Sequence, residues 1–127
     1  MRAEAEFDAD GLVARVSRAA SGVLRRMGAY VRAVARRKVQ TSPDASRPGA
    51  PPHTRRGALR RGLLFGLEAR GAGVVVGPSA AFVGTSAAAH EFGGGYRGER
   101  YPKRPLMGPA LRDSIPHLAG MWENAVK

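Results

Sequence analysis

The chain has no cysteine, so neither a disulfide nor a thiolate metal site can staple the fold or supply a reactive centre. That fits a protein made and used in a reducing cytoplasm. No apolar run approaches the roughly 18 to 20 residues that span a bilayer, and the sequence opens Met-Arg-Ala-Glu with acids close behind, unlike a secretory leader. No membrane partner is expected. Acids are scarce as well, with 10 Asp and Glu against 21 Lys and Arg and a net charge of +11. Residues 11–61 hold thirteen of the basic residues and a single acid, Asp44. A field of that kind attracts a polyanion such as DNA or an acidic protein surface; the Arg, Ala and Gly bias of a GC-rich coding sequence is the plainer source of the same excess.

Enzymatic constellations are missing too. His53, His90 and His117 are scattered, and His90-Glu91 begins like a zinc-protease helix but meets Gly94 where the second histidine belongs. No phosphate-cradling loop ends in Gly-Lys-Ser or Gly-Lys-Thr, and none of the serines has nucleophile-elbow surroundings. Nothing in the spacing of Glu68, Glu91, Glu99 and Asp113 suggests a carboxylate pair. The expectation is a non-enzyme with no catalytic residues, no cofactor and no metal.

What is present fits one domain over residues 1–127, because 43% hydrophobic residues in 127 make one modest core. From Gly11 to Val39 the residues Val13, Val16, Ala20, Val23, Leu24, Met27, Val31 and Val34 recur at spacings of three and four, which predicts a long amphipathic helix. Arg15, Arg18, Arg25, Arg32 and Arg36 form its basic face. Asp8 or Asp10 is placed to cap it, and Thr41-Ser42-Pro43 to end it. Gly22 and Gly28 lie off the apolar stripe, where they would permit close approach of a neighbour.

Residues 41–57, with four prolines and two glycines, read as an extended loop, either a floppy insert or an arm that orders against a neighbouring subunit. An arm would contribute little to the core. Residues 59–127 carry the sheet and the C-terminal helix: a helical turn at Leu59–Leu63, a hairpin joining Leu63, Phe65 and Leu67 to Val74-Val75-Val76, and a short helix ending at Phe92 before Gly93. A flexible stretch follows from Tyr96 to Lys103. The last helix, Pro109 to Val126, has Leu111, Ile115, Leu118, Met121 and Trp122 on one side, bent or interrupted by Pro116. Trp122 is expected in the core. Glu91 reads either as an ion pair to an arginine of the next subunit or as a solvated or intrachain carboxylate facing Arg97 or Arg104.

Four stretches, taken in order, resemble a known family: Pro-Gly-Ala-Pro-Pro-His-Thr-Arg-Arg-Gly-Ala-Leu-Arg at 48–60, Val-Val-Val-Gly-Pro at 74–78, His-Glu-Phe-Gly-Gly at 90–94 and Arg-Pro-Leu-Met-Gly-Pro-Ala-Leu at 104–111. Over residues 11 to about 120 the chain looks like the tail-component family of long-tailed phages, also called virion-morphogenesis or tail-completion proteins, typified by the HK-ninety-seven neck protein. The resemblance implies an α+β fold in which a long N-terminal amphipathic helix packs on a small, mostly antiparallel β-sheet, with a long Pro-rich loop and a C-terminal helix. It implies a homo-oligomeric ring, commonly a hexamer, in the virion neck, assembled in the host cytoplasm. Its partners there would be the head connector or stopper protein and the tail tube protein, with non-specific contact to DNA in the channel. Carried over, Arg47, Pro48, Pro51, Pro52, His53, Arg55 and Arg56 belong to a docking arm. Glu91, Phe92, Arg104, Pro105 and Leu106 would shape the fold and ring contacts; Leu106 stands where the family usually has an aromatic. A small basic DNA-binding or DNA-packaging protein is the alternative reading, and a small basic effector a third.

Overall fold

In the computed structural model the backbone is described for residues 9–69, 71 and 73–125, and the side chains of 9–16, 82, 83 and 125 are left out of the description. Helix α1 (Ala9–Lys38) is the spine of the molecule, about 45 Å long at 1.5 Å per residue. Asp8 and the side chains of Val13, Arg15 and Val16 lie outside the described set. Of the described stripe residues, Val23, Val31 and Val34 are buried and Ala20, Leu24 and Met27 half-buried, while Ala35 and, just past the helix, Val39 are buried as well.

After the loop come α2 (Ala58–Gly62), β1 (Leu63–Leu67) and β2 (Val74–Pro78). The strands pair antiparallel, Leu63 opposite Pro78 and Leu67 opposite Val74, so Leu63, Phe65, Leu67, Val74 and Val76 share the face turned to α1. Leu64, Gly66, Val75 and Gly77 share the other. Gly28 is the point of closest approach: a Cβ there would stand 2.7 Å from Val74 Cγ2 and 2.8 Å from Phe65 Cδ2. The hairpin can lie against the helix because this residue has no side chain. Gly22 has no such role, its Cβ position meeting only the Arg26 guanidinium at 3.8 Å.

A short helix that periodicity does not predict, α3 (Ala80–Val83), packs against α2. Helix α4 (Ala87–Phe92) stops before Gly93. The stretch from Tyr96 to Lys103 is not a flexible tract: β3 (Gly94–Tyr96) and β4 (Glu99–Tyr101) form a second antiparallel hairpin. Arg97 (φ 50°) and Gly98 (φ 82°) make the two-residue left-handed turn that suits the strand twist. The Tyr101 ring packs against Tyr96, tilted by 60° at 6.1 Å, and against His90, nearly perpendicular at 5.1 Å between ring centroids, which anchors the hairpin.

Helix α5 (Met107–Ala125) closes the fold against α1. It runs unbroken through Pro116, which is exposed, so the backbone bond that proline removes is on the solvent side. Its buried line is Ala110, Ser114 and Leu118, continuing from Leu106. The large residues Leu111, Ile115 and Trp122 are exposed instead, Trp122 at 39%, which corrects its expected place in the core. The central cluster is Val34, Ala35, Val39, Leu63, Leu106 and Ala110, flanked by Tyr30, Leu59 and Met107. Small side chains let α1 and α5 approach closely and leave the bulky ones outside.

Candidate assembly site

The Pro-rich loop is not a floppy insert: it is fastened to its own chain. Its ends are bridged where Thr41 pairs with Thr54, with Ser42 N–H donating to the Thr54 carbonyl at 3.0 Å and Thr54 N–H to the Gln40 carbonyl at 2.9 Å. Ser46 and Thr54 are buried. Gly49 N–H donates to the Lys103 carbonyl at 2.7 Å, and Arg104 Nε donates to the Ser46 carbonyl at 2.9 Å. A loop fastened at its ends and along its length is a compact Ω-loop.

Arg104 is held in turn by a bond from its N–H to the His90 carbonyl at 2.6 Å, which places Glu91 at the start of α5. The Glu91 carboxylate accepts Leu106 N–H at 2.9 Å and Met107 N–H at 2.8 Å on Oε1, and Gly108 N–H at 3.0 Å on Oε2. Pro109 has no N–H to satisfy, and Ala110 N–H already donates to the Leu106 carbonyl at 3.1 Å. One carboxylate thus completes the first turn of a 19-residue helix and meets the positive end of its dipole. Gly108 leaves room for it, since a Cβ would lie 3.3 Å from Oε2.

Three expected contact residues therefore serve the chain's own fold. Within the chain Glu91 pairs with backbone amides and, among the described residues, with no arginine; Arg104 holds the loop, and Leu106 is core. The basic face of α1 also shrinks. Arg36 Nε donates to the Arg60 carbonyl at 3.1 Å, and the Arg32 guanidinium lies 5.1 Å from the centroid of Phe65. Arg18 and Arg25 are exposed. Of the loop residues, Pro52 and His53 join Glu91, Arg104 and Leu106 around one pocket of about 200 Å³, together with His90 and Pro78. Arg47, Pro51 and His53 line a second hollow against Lys38 and Gln40. Pro48, Arg55 and Arg56 are exposed and Pro105 is half-buried; none of these four lines the first pocket.

His90 Nδ1 is buried in this pocket without a hydrogen-bond partner. Burial, and secondarily the positive Arg104, lower its pKa from the ordinary 6.5. The unfolded chain therefore takes up a proton first as pH falls, and stability is full above about pH 6.5 and declines as pH drops through the folded value. Thermal melts between neutral and mildly acidic pH are expected to show a fall in Tm that is reduced in His90→Gln; an equal fall in both proteins would contradict this.

The outer surface carries large apolar side chains in two places that sequence reasoning did not single out. On the hairpin, Val75 is 60% exposed beside Leu64, along a shallow hollow floored by Gly66 and Gly77. On α5, Ile115 is 54% exposed near Leu111, and a groove of about 320 Å³ runs between α1, β2 and α5, lined by Met27, Val31, Val74, Val76, Met107, Leu111 and Leu118. Phe92, at the end of α4, is 76% exposed. The alternation of Leu64 and Val75 with inward residues was a usable signal once the hairpin register was known. Among the described residues no three metal-ligating side chains come together, and no described helix is long and apolar enough to cross a membrane. No protein-family model, curated protein or solved structure matches the chain.

Proposed function

We propose that this chain is a non-enzymatic structural protein of the neck of a long-tailed phage or prophage, forming a ring that completes the tail and joins it to the head connector. The observation that carries the reading is the pair of uncovered apolar faces, one on the outer side of the β1–β2 hairpin and one along α5. Large apolar side chains left outside a small core are the pattern of a protein that completes its packing with a partner. Two unlike faces on one chain fit a head-to-tail contact between copies, which closes into a ring when the rotation allows. The hairpin strands carry no charge, and α5 holds only Arg112, Asp113 and Glu123. Copies with a net charge of +11 meet there with the least repulsion.

The motif order supports the same reading. His-Glu-Phe-Gly-Gly and Arg-Pro-Leu-Met-Gly-Pro are one physical unit, because the carboxylate of the first caps the helix that the second begins. The ring is proposed as a homo-oligomer, six subunits being the family's common number, with a head connector or stopper protein on one side and the tail tube protein on the other. Mass measurement of the purified chain tests the assembly. The wild type is expected to give a ring of several copies, and Val75→Glu or Ile115→Glu to give folded monomer, since burying an unpaired carboxylate at such a contact costs several kcal/mol, on the order of 3. A wild-type monomer at high micromolar concentration, or variants that assemble normally, would count against it.

A further inference from the structure

The C-terminal end of α1 and the short helix α2 bring six arginines to one place: Arg36, Arg37, Arg55, Arg56, Arg60 and Arg61. Arg36 Nε donates to the Arg60 carbonyl at 3.1 Å, the Arg60 guanidinium donates to the Val39 carbonyl, and Arg61 Nη1 donates to the Arg56 carbonyl at 2.8 Å. Every acceptor is a backbone carbonyl, so these bonds fix the Arg36, Arg60 and Arg61 guanidinium groups in position without cancelling their charge. Asp113 pairs with Lys38 at 2.5 Å, the one ion pair among the described residues. Arg37, Arg55, Arg56 and Arg61 remain exposed.

We propose that this cluster binds the phosphodiester backbone of double-stranded DNA. Like charges gathered with no carboxylate among them repel one another, and a polyanion removes that repulsion while releasing its own counterions. Guanidinium forks suit phosphate oxygens better than ammonium groups do. The cluster contains none of the exposed large hydrophobic residues of the protein, whereas a protein partner would be expected to bury an apolar centre. It holds no aromatic side chain on which a base would stack. Recognition is thus of the backbone and independent of sequence. Only Arg36 is shared with the face that helical periodicity marks out: Arg25 and Arg18 lie about 18 and 28 Å back along the α1 axis from Arg37, at 1.5 Å per residue. The inference rests on the arginine geometry alone and stands whether or not the chain forms a ring.

Fluorescence anisotropy of the full chain with a labelled mixed-sequence duplex of about 20 base pairs, titrated with salt, tests it. The wild type is expected to bind at low salt and weaken steeply as salt rises. The combined variant Arg37→Gln, Arg55→Gln, Arg56→Gln removes three exposed charges. It should lose about tenfold or more in affinity and flatten the log–log salt dependence by nearly three, at about 0.9 per phosphate contact. The combination Arg18→Gln, Arg25→Gln, Arg100→Gln makes the same change in net charge elsewhere and should lose far less. Absent wild-type binding, or equal losses in the two combinations, would overturn the site. Polyglutamate competing as well as DNA, with the same arginine dependence, would overturn nucleic acid as the ligand.

Discussion

Glu91→Ala is expected to lower the stability of the folded chain by about 2 to 4 kcal/mol, because three backbone amides lose a charged acceptor at once. All three stand at the beginning of α5, and α5 carries Leu106, Ala110, Ser114 and Leu118 into the core. Losing the cap therefore loosens the packing of the helix on α1 as well as its first turn. Glu91→Gln separates geometry from charge. Its side chain has the right length, but its amide nitrogen would face the Gly108 N–H, donor against donor, so about half the loss should remain. Chemical denaturation of the purified proteins measures both. A Glu91→Ala chain as stable as the wild type would show that α5 is held by side-chain packing alone.

Excising residues 44–53 and rejoining the chain with a short glycine linker is expected to cost about 2 to 4 kcal/mol. The loss sums the charged bond from Arg104 to the Ser46 carbonyl, worth about 1.5 to 3 kcal/mol, and the bond from Gly49 to Lys103, worth about 0.5 to 1.5 kcal/mol. Shortening the loop returns only a few tenths of that, because closure entropy changes slowly with length. From sequence, the loop reads as an arm whose removal leaves the domain intact. The fastened loop predicts the reverse, a chain that melts well below the wild type before any question of joining arises. An unchanged Tm in the shortened chain would restore the arm.

The loop shows where sequence reasoning reaches its end. Four prolines and two glycines correctly exclude helix and strand, but nothing local reveals that Arg104, 58 residues from Ser46, holds the loop down. The long helix was legible because its stripe repeats over about six turns, and the first hairpin because Leu63, Phe65 and Leu67 alternate opposite a run of valines. The second hairpin escaped because each strand has three residues, too few to show a period. In α5 the pattern held only in part: of the expected face Leu111, Ile115, Leu118, Met121 and Trp122, Leu118 is buried but Leu111, Ile115 and Trp122 are exposed, and the buried line is completed by the small Ala110 and Ser114. Close helix packing selects small side chains, and a hydrophobicity scale gives them little weight. The consequence bears on function, because the large residues then remain outside for another surface.

The candidate contacts divided along the same line. Phe92, Arg55 and Arg56 are exposed as an interface requires, while Glu91, Arg104 and Leu106 are spent inside the chain. A carboxylate that reaches 17 residues ahead to cap a helix builds the fold. The outer apolar residues Leu64, Val75, Leu111 and Ile115, which belong to no charged motif, are the better candidates for contact between copies.

The proposed neck role is tested most directly by negative-stain electron microscopy of lysates in which the gene is inactivated within the genome that carries it. The account predicts DNA-filled heads beside unjoined or overlong tails, with intact particles restored by the wild-type gene and not by Val75→Glu or Ile115→Glu. Intact, infectious virions in normal number without the gene would contradict it.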